Sequence, residues 1–421
     1  VDIMLRQLLT ENNVAMIKNK LACSVSVALS SLVLSTSAFA TNTYFDARNN
    51  AMGGVGVASS HYGIAALVNP ALVAKDDKKT DDFSLVLPSV GIQVSDKDDL
   101  IDGIDNVSDI YDRFDAAIKN SDNLTAQIEA KNLASELRSI DAKYVDGNVG
   151  VNIVATLPAR WGSASLFANG YGSVAVATNV AQSDLALLDA AAADATVAGA
   201  LPNDLKLDSE GRAVAALVQD YGLALAKVVE IQGLPVHVGV TPKLQKVDTF
   251  NYATRVDDFE TSDVNDSRYR DSETGFNADL GLALDYSQLT FGLSARNLIA
   301  RDVDTKVIEG KKFTYQIAPL VTTGVAYRTD LGTLAADLDL TETKGFSHIK
   351  SSQYASVGGE LDAWGWAQLR AGYRTDLKGD MPNMVTAGLG LSPFKVVHLD
   401  LAGMVGSDKA MGAAVTMSYT F

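Results

Sequence analysis

Hydrophobic positions along this chain recur with a period of two. Towards the C-terminus Met411, Ala413, Val415, Met417, Tyr419 and Phe421 are apolar, whereas Gly412, Ala414, Thr416, Ser418 and Thr420 are small or polar. Successive side chains of a strand point to opposite faces, so such a run sets an oily face against a polar one. The same alternation sets Ala278, Leu280, Leu282, Leu284 and Tyr286 against Asn277, Asp279, Gly281, Ala283 and Asp285. It sets Leu289, Phe291, Leu293 and Ala295 against Thr290, Gly292, Ser294 and Arg296. Leu334, Ala336, Leu338 and Leu340 oppose Asp337 and Asp339, and Ala367, Leu369, Ala371 and Tyr373 oppose Gln368, Arg370, Gly372 and Arg374. The runs predict strands over 83–94, 147–157, 161–178, 209–231, 234–250, 273–286, 288–300, 312–328, 331–343, 351–362, 364–376, 382–392, 394–404 and 409–421.

The connections between these runs alternate as well. Those after even-numbered strands are tight, at 158–160, 232–233 and near Ser287, Asp330, Ala363 and Pro393. Those after odd-numbered strands are mostly longer and more polar, as at 96–146, 179–208, 251–272 and 301–311. An even strand count with tight turns at one end and long loops at the other is the plan of a bacterial outer-membrane barrel. A soluble sandwich or propeller would share the alternation but would require neither feature. The expected fold is therefore all-β, a 14-stranded antiparallel transmembrane β-barrel whose oily face meets lipid. Trp161, Tyr286, Tyr327, Trp364, Trp366, Phe394, Tyr419 and Phe421 fall near the tight-turn end, where amphipathic rings would form a girdle at one membrane interface. No run of eighteen continuous apolar residues follows Ala40, so a barrel is the available way to span a bilayer.

Two segments break the pattern. Within 97–140, Phe114, Ile118, Leu133, Leu137 and Ile140 keep helical spacing, and 183–200 is an Ala-rich run. Both follow odd-numbered strands and are expected as helical insertions in extracellular loops.

The first forty residues read as a leader. From Met16 two lysines precede a short apolar run that ends Ala38-Phe39-Ala40, the layout of a secretory signal, and the residues before Met16 read as a mis-assigned start. Leu21–Cys23 opens the apolar run instead of following it, so it is not a lipoprotein box. Cys23 is the chain's one cysteine, and its loss with the leader excludes disulfides, thiolate metal sites and cysteine nucleophiles. The formal net charge of −16 argues against nucleic acid as a partner.

Residues 41–82 precede the first strand and contain NNAMGGVGVASSHYGIAALVNPALVAKDD. Gly53, Gly54 and Gly56 lack the setting of a phosphate cradle and point instead to a compact plug for the barrel lumen. This stretch, from Asn50 to Ala74, resembles the N-terminal segment of the FadL/TodX-type outer-membrane hydrophobic-compound transporters. Within that superfamily the helical insertion looks closest to the subgroup known as conjugal-transfer protein TraF, which is distinct from the thioredoxin-like protein of the same name. The resemblance implies a hatch inside the barrel, carried by Gly53, Gly54, Gly56, Asn69, Pro70 and Ala71.

The expected function is passive transport of small hydrophobic, fatty-acid-like or aromatic compounds through a hatch-gated barrel. The alternative is a structural or interaction component associated with conjugal plasmid transfer. Lys243, Asp279, Asp285, Arg296, Arg328, Asp337, Asp339, Arg370, Arg374 and Asp400 are expected to face the lumen as a mixed-sign network that holds the plug. Outer-membrane lipid, a hydrophobic ligand, the barrel assembly machinery through the C-terminal strand, and a protein at the outer loops are the expected partners. Catalysis is not expected. His61, His237, His348 and His398 are the available bases, and His398 and Asp400 share a strand face with no serine fixed beside them. The acidic loop 255–271 lacks an EF-hand pattern, and neither cofactor nor metal is expected.

Overall fold

The computed structural model describes residues 44–75, 83–157, 162–255, 266–346, 351–394 and 396–421. Trp161, His348, the leader, the turn at 158–160 and most of the acidic loop lie outside them.

Fourteen of the described strands close into one antiparallel barrel. In chain order they are β1 (Ser84–Ser95), β2 (Tyr144–Leu157), β3 (Ser163–Asn179), β4 (Glu210–Ile231), β5 (Leu234–Arg255), β6 (Arg270–Tyr286) and β7 (Leu289–Arg296). After a two-stranded ribbon, β8 (Arg301–Asp304) with β9 (Thr314–Ile317), the wall continues. Its second half is β10 (Leu320–Thr329), β11 (Gly332–Asp339), β12 (Tyr354–Asp362), β13 (Ala367–Asp376), β14 (Met384–Leu391), β15 (Val397–Gly406) and β16 (Met411–Thr420). β16 pairs with β1 and closes the cylinder, leaving no free sheet edge along the seam. One expected strand is corrected. The run 312–328 is two elements, because Pro319 cannot continue the ladder and Thr314–Ile317 belongs to the ribbon.

The alternation fixes which face is which. Leu280, Leu282, Leu293, Leu401 and Val415 are exposed on the outer face, while Asn277, Asp279, Ser294, Ala402 and Thr416 are buried inside. Leu401→Arg, in the middle of β15, is therefore expected to destabilise the barrel by about 2–4 kcal/mol in reversible unfolding from bilayers. A cost near zero would mean that this face does not meet hydrocarbon.

Pro88 sits where β1 slips register against both neighbours, between Val86 and Ser89, so its missing N–H removes no ladder bond. At the tight-turn end Gln232 and Gly233 both take positive φ, the geometry of a two-residue hairpin. Tyr286, Tyr327, Trp364, Trp366, Phe394 and Phe421 stand exposed there, and the indoles of Trp364 and Trp366 stack at 6.2 Å. Tyr419 is part-buried beside them.

The wall is lopsided. β4 and β5 run for 22 residues each, whereas β7, β11 and β14 have 8. About 10 residues span a bilayer, so β4 and β5 project well beyond it at the long-loop end. There α2 (Leu100–Lys119), α3 (Asn123–Ile140), α4 (Gln182–Ala193) and α5 (Ala195–Ala198) pack around Phe114, Leu133, Leu137, Leu188 and Leu207. Asp122 caps α3 by accepting from the Thr125 hydroxyl and amide, which hold its carboxyl below the usual range. Lys143 reaches the Asp98 carbonyl at 2.8 Å, and Lys409 pairs with Asp99, tying these helices to the barrel rim. No described helix is long and apolar enough to cross a membrane.

Candidate functional site: the barrel lumen

Residues 44–75 lie inside the barrel, where α1 (Ala47–Ala51) touches β13 to β16 and the 3-10 helix Pro70–Ala74 touches β3 to β6. Asp46 accepts from the Asn49 amide and so starts α1. Asn69 caps the 3-10 helix by accepting from the Ala71 amide, and Pro70 holds its first position, where no N–H is needed. The Asn69 amide also donates to Val57 O at 2.8 Å and Leu282 O at 3.1 Å, so one side chain ties the segment to itself and to β6.

The inner segment rests on glycines. Four lumen-facing glycine pairs stand opposite each other across neighbouring strands: Gly91 with Gly150, Gly239 with Gly281, Gly292 with Gly324, and Gly358 with Gly372. Phe45 lies on the first pair, Pro70-Ala71 on the second, Val57 on the third and Met52-Gly53 on the fourth. At Gly281 a Cβ would stand 2.1 Å from Asn69 Oδ1. Gly53 has φ +76°, and a Cβ there would also meet the Tyr373 backbone at 2.8 Å. Gly54 shares the left-handed conformation with φ +89°, and the Gly56 and Val57 amides donate to Asp337 at 2.7 and 2.9 Å. The signal for this seat was in the sequence, since Gly281, Gly292 and Gly372 interrupt the polar face of the alternation.

The charges form three groups. Arg48 of α1 makes a two-pronged contact with Glu360 at 2.9 Å, Arg370 binds the same carboxylate at 2.7 Å, and Arg370 reaches Asp400 at 2.5 Å. Lys75, at the other end of the inner segment, binds Asp285 and Thr290 at 2.6 Å, and His237 meets Asp285 at 3.0 Å. Further toward the long-loop end of β5 and β6, Lys243 bridges Asp279 at 2.9 Å and Asp220 at 3.3 Å. Arg296 lies 5.5 Å from the Tyr44 ring centre, and Arg374 donates to Gln93 at 2.5 Å with its guanidinium over Tyr354. Asp339 accepts from Thr322 and the Tyr354 amide, while Arg328 stands half-buried at the tight-turn end of β10.

His398, with no serine fixed beside it by the strand pattern, meets the Ser392 and Thr420 hydroxyls at 2.6 and 2.8 Å, and His237 meets the Asp285 carboxylate. His61 accepts from the Gly63 amide. Arg48, Lys75, Asp220, His237 and Glu360 were missed as lumen groups.

A family model described as "F plasmid transfer operon, TraF, protein" matches residues 66–339, more than half of the chain. Among solved structures, the Pseudomonas putida toluene transporter TodX is similar with a TM-score of 0.51 and 13% identity, covering 90% of this chain and 99% of its own. A TodX deltaS2S3 mutant, titled a monoaromatic hydrocarbon channel, gives 0.52 at 12% identity over 90% and 99%. The CymD monoaromatic hydrocarbon channel gives 0.50 at 9% over 91% and 99%. At these identities the likeness is one of fold. No curated protein matches the sequence. The closed 14-stranded barrel with its apolar exterior places the protein in the bacterial outer membrane.

Proposed function

We propose, from the premise that the chain belongs to the TraF family of the F plasmid transfer operon, that it is a passive outer-membrane transporter of small hydrophobic compounds, gated by residues 44–75 as a hatch. The observation that carries the reading is how that segment is seated. Its two ends are held by ion pairs, Arg48 with Glu360 and Lys75 with Asp285, and its middle by hydrogen bonds from Asn69 and to Asp337. Such contacts exchange with water when they part, while the apolar packing of Phe45, Met52, Val57 and Leu72 on the wall favours the closed seat. The structures of similar fold named above carry titles of hydrocarbon channels, which fits the same cargo class.

The test is toluene uptake into proteoliposomes by the intact protein and by a form lacking 44–75. Uptake by the intact protein that rises several-fold on deletion is the expected result. No uptake by either form would sink the transport reading.

One observation favours the second reading, an interaction component of conjugal transfer. Leu124 and Ile128 stand one turn apart on α3 and remain 64% and 52% exposed in the outer helical cap. Double replacement by glutamine that abolishes plasmid transfer while leaving toluene uptake intact would support it.

A further inference from the structure

The outer half of the lumen is covered by a second element. The β8–β9 ribbon lies against the inner face of β4 and β5, where its Val303, Tyr315 and Ile317 pack on Tyr171, Val214 and Val218 of the wall. That wall area is apolar, unlike the charged level below it around Lys243, Asp220 and Asp279. The ribbon's polar side is clamped by two residues of the wall. Asn251 donates to Lys306 O at 2.9 Å and Lys311 O at 3.0 Å, and Arg212 donates to Ile308 O at 3.2 Å and to Asn251 itself at 2.9 Å. Thr249 adds a bond to Asp304 O at 2.9 Å.

Beside the ribbon lies a small open cavity of about 60 Å³, which displacement of the neighbouring rings would enlarge. Asn148, Ala175, Phe346, Ser352 and Met381 are among its lining. Ala175 and Phe346 also belong to the apolar cluster under the ribbon, so cavity and covered wall share a boundary. Phe346 stands there edge-on to Tyr315, with ring centres 5.3 Å apart at 70°.

We infer that the cavity and the wall beneath the ribbon form one binding site for a small planar apolar molecule, and that Tyr315 and Phe346 occupy its inner part until cargo displaces them. The ribbon is then an outer gate in series with the hatch. This rests on the transport reading above. The rings that close the site are of the same chemistry as the ligand that replaces them, so the wall stays covered by apolar atoms in both states. The clamp is made of side-chain bonds to ribbon carbonyls, which water satisfies once the ribbon lifts.

The test uses methionine-methyl NMR of the full protein in nanodiscs, titrated with toluene. Met381 lines the cavity and reports on it, while Met52, Met384 and Met404 are buried near the inner segment and serve as internal references. Saturable shifts confined to Met381 are expected. Asn251→Ala and Arg212→Met each loosen the clamp by a different route, so a local folding fault in one does not decide the matter. Each is expected to tighten toluene binding by about tenfold, because apparent affinity scales with the open fraction. An unmoved Met381, or equal affinity in wild type and both variants, would overturn the gate. Tightened binding together with absent liposome uptake would uphold the site and overturn the transport reading alone.

Discussion

Glu360→Ala is expected to lower the stability of the folded barrel by about 3–5 kcal/mol, the cost of removing one partner from a buried charge group. Glu360 is the shared acceptor of Arg48 and Arg370, and the side chains of all three are at least 86% buried. Without it Arg370 keeps its bond to Asp400, while the hydrogen bond left to Arg48 among the described residues is that to the Ser59 carbonyl. The loss should therefore fall on the contact between α1 and the wall. Glu360→Gln keeps an acceptor oxygen and removes the charge, so it is expected to fall between wild type and alanine. The check is the temperature at which each protein loses its compact form on electrophoresis, read beside single-channel recordings. If the alanine form melts with wild type and shows no added opening events, the carboxylate does not hold the segment.

That carboxylate was not legible in the sequence, for reasons that concern particular neighbours. Glu360 follows Gly358-Gly359, and two glycines blank out the alternation that would have assigned it a face. Asp220 was hidden differently. Around it β4 reads AVAALVQDYGLALA, small and apolar on both faces, because the inner face there is covered by Phe167, the ribbon and the wall's own cluster. The serine beside His398 was not legible either, because the alternation within one strand says nothing about what the neighbouring strand and turn bring to it. Gly390 stands opposite Asp400, and its missing side chain leaves the space through which Arg370 reaches that carboxylate. By contrast the fourteen wall strands were legible, since a sheet with lipid outside and a polar lumen enforces period two over its whole height. The ribbon imitates that pattern over a few residues, which is why 312–328 read as one strand.

Gly281→Val is expected to unseat the inner segment while leaving the barrel closed. The new Cβ would lie 2.1 Å from Asn69 Oδ1 and 2.7 Å from the Ala71 nitrogen, against atoms held by the segment's own hydrogen bonds. A flexible side-chain end could swing away from such a clash, but Ala71 nitrogen is backbone, so Asn69-Pro70-Ala71 must move as a unit. Overpacking of this kind costs about 1–3 kcal/mol, and here it opposes the bonds from Asn69 to Val57 and Leu282. The strand itself loses nothing, because a β-branched residue suits a strand better than glycine does. Gly403→Val is the matched control. It lies on β15, and a Cβ there meets nothing within 4 Å. Planar-bilayer conductance and protease cleavage near Lys75 should both rise in the Gly281 variant and stay at wild-type level in the Gly403 variant. Equal rises in the two would mean that valine weakens the wall in general. No rise in either would mean that the Asn-Pro-Ala turn can shift off its glycine seat without opening a path, and that the seal lies in the ribbon above it.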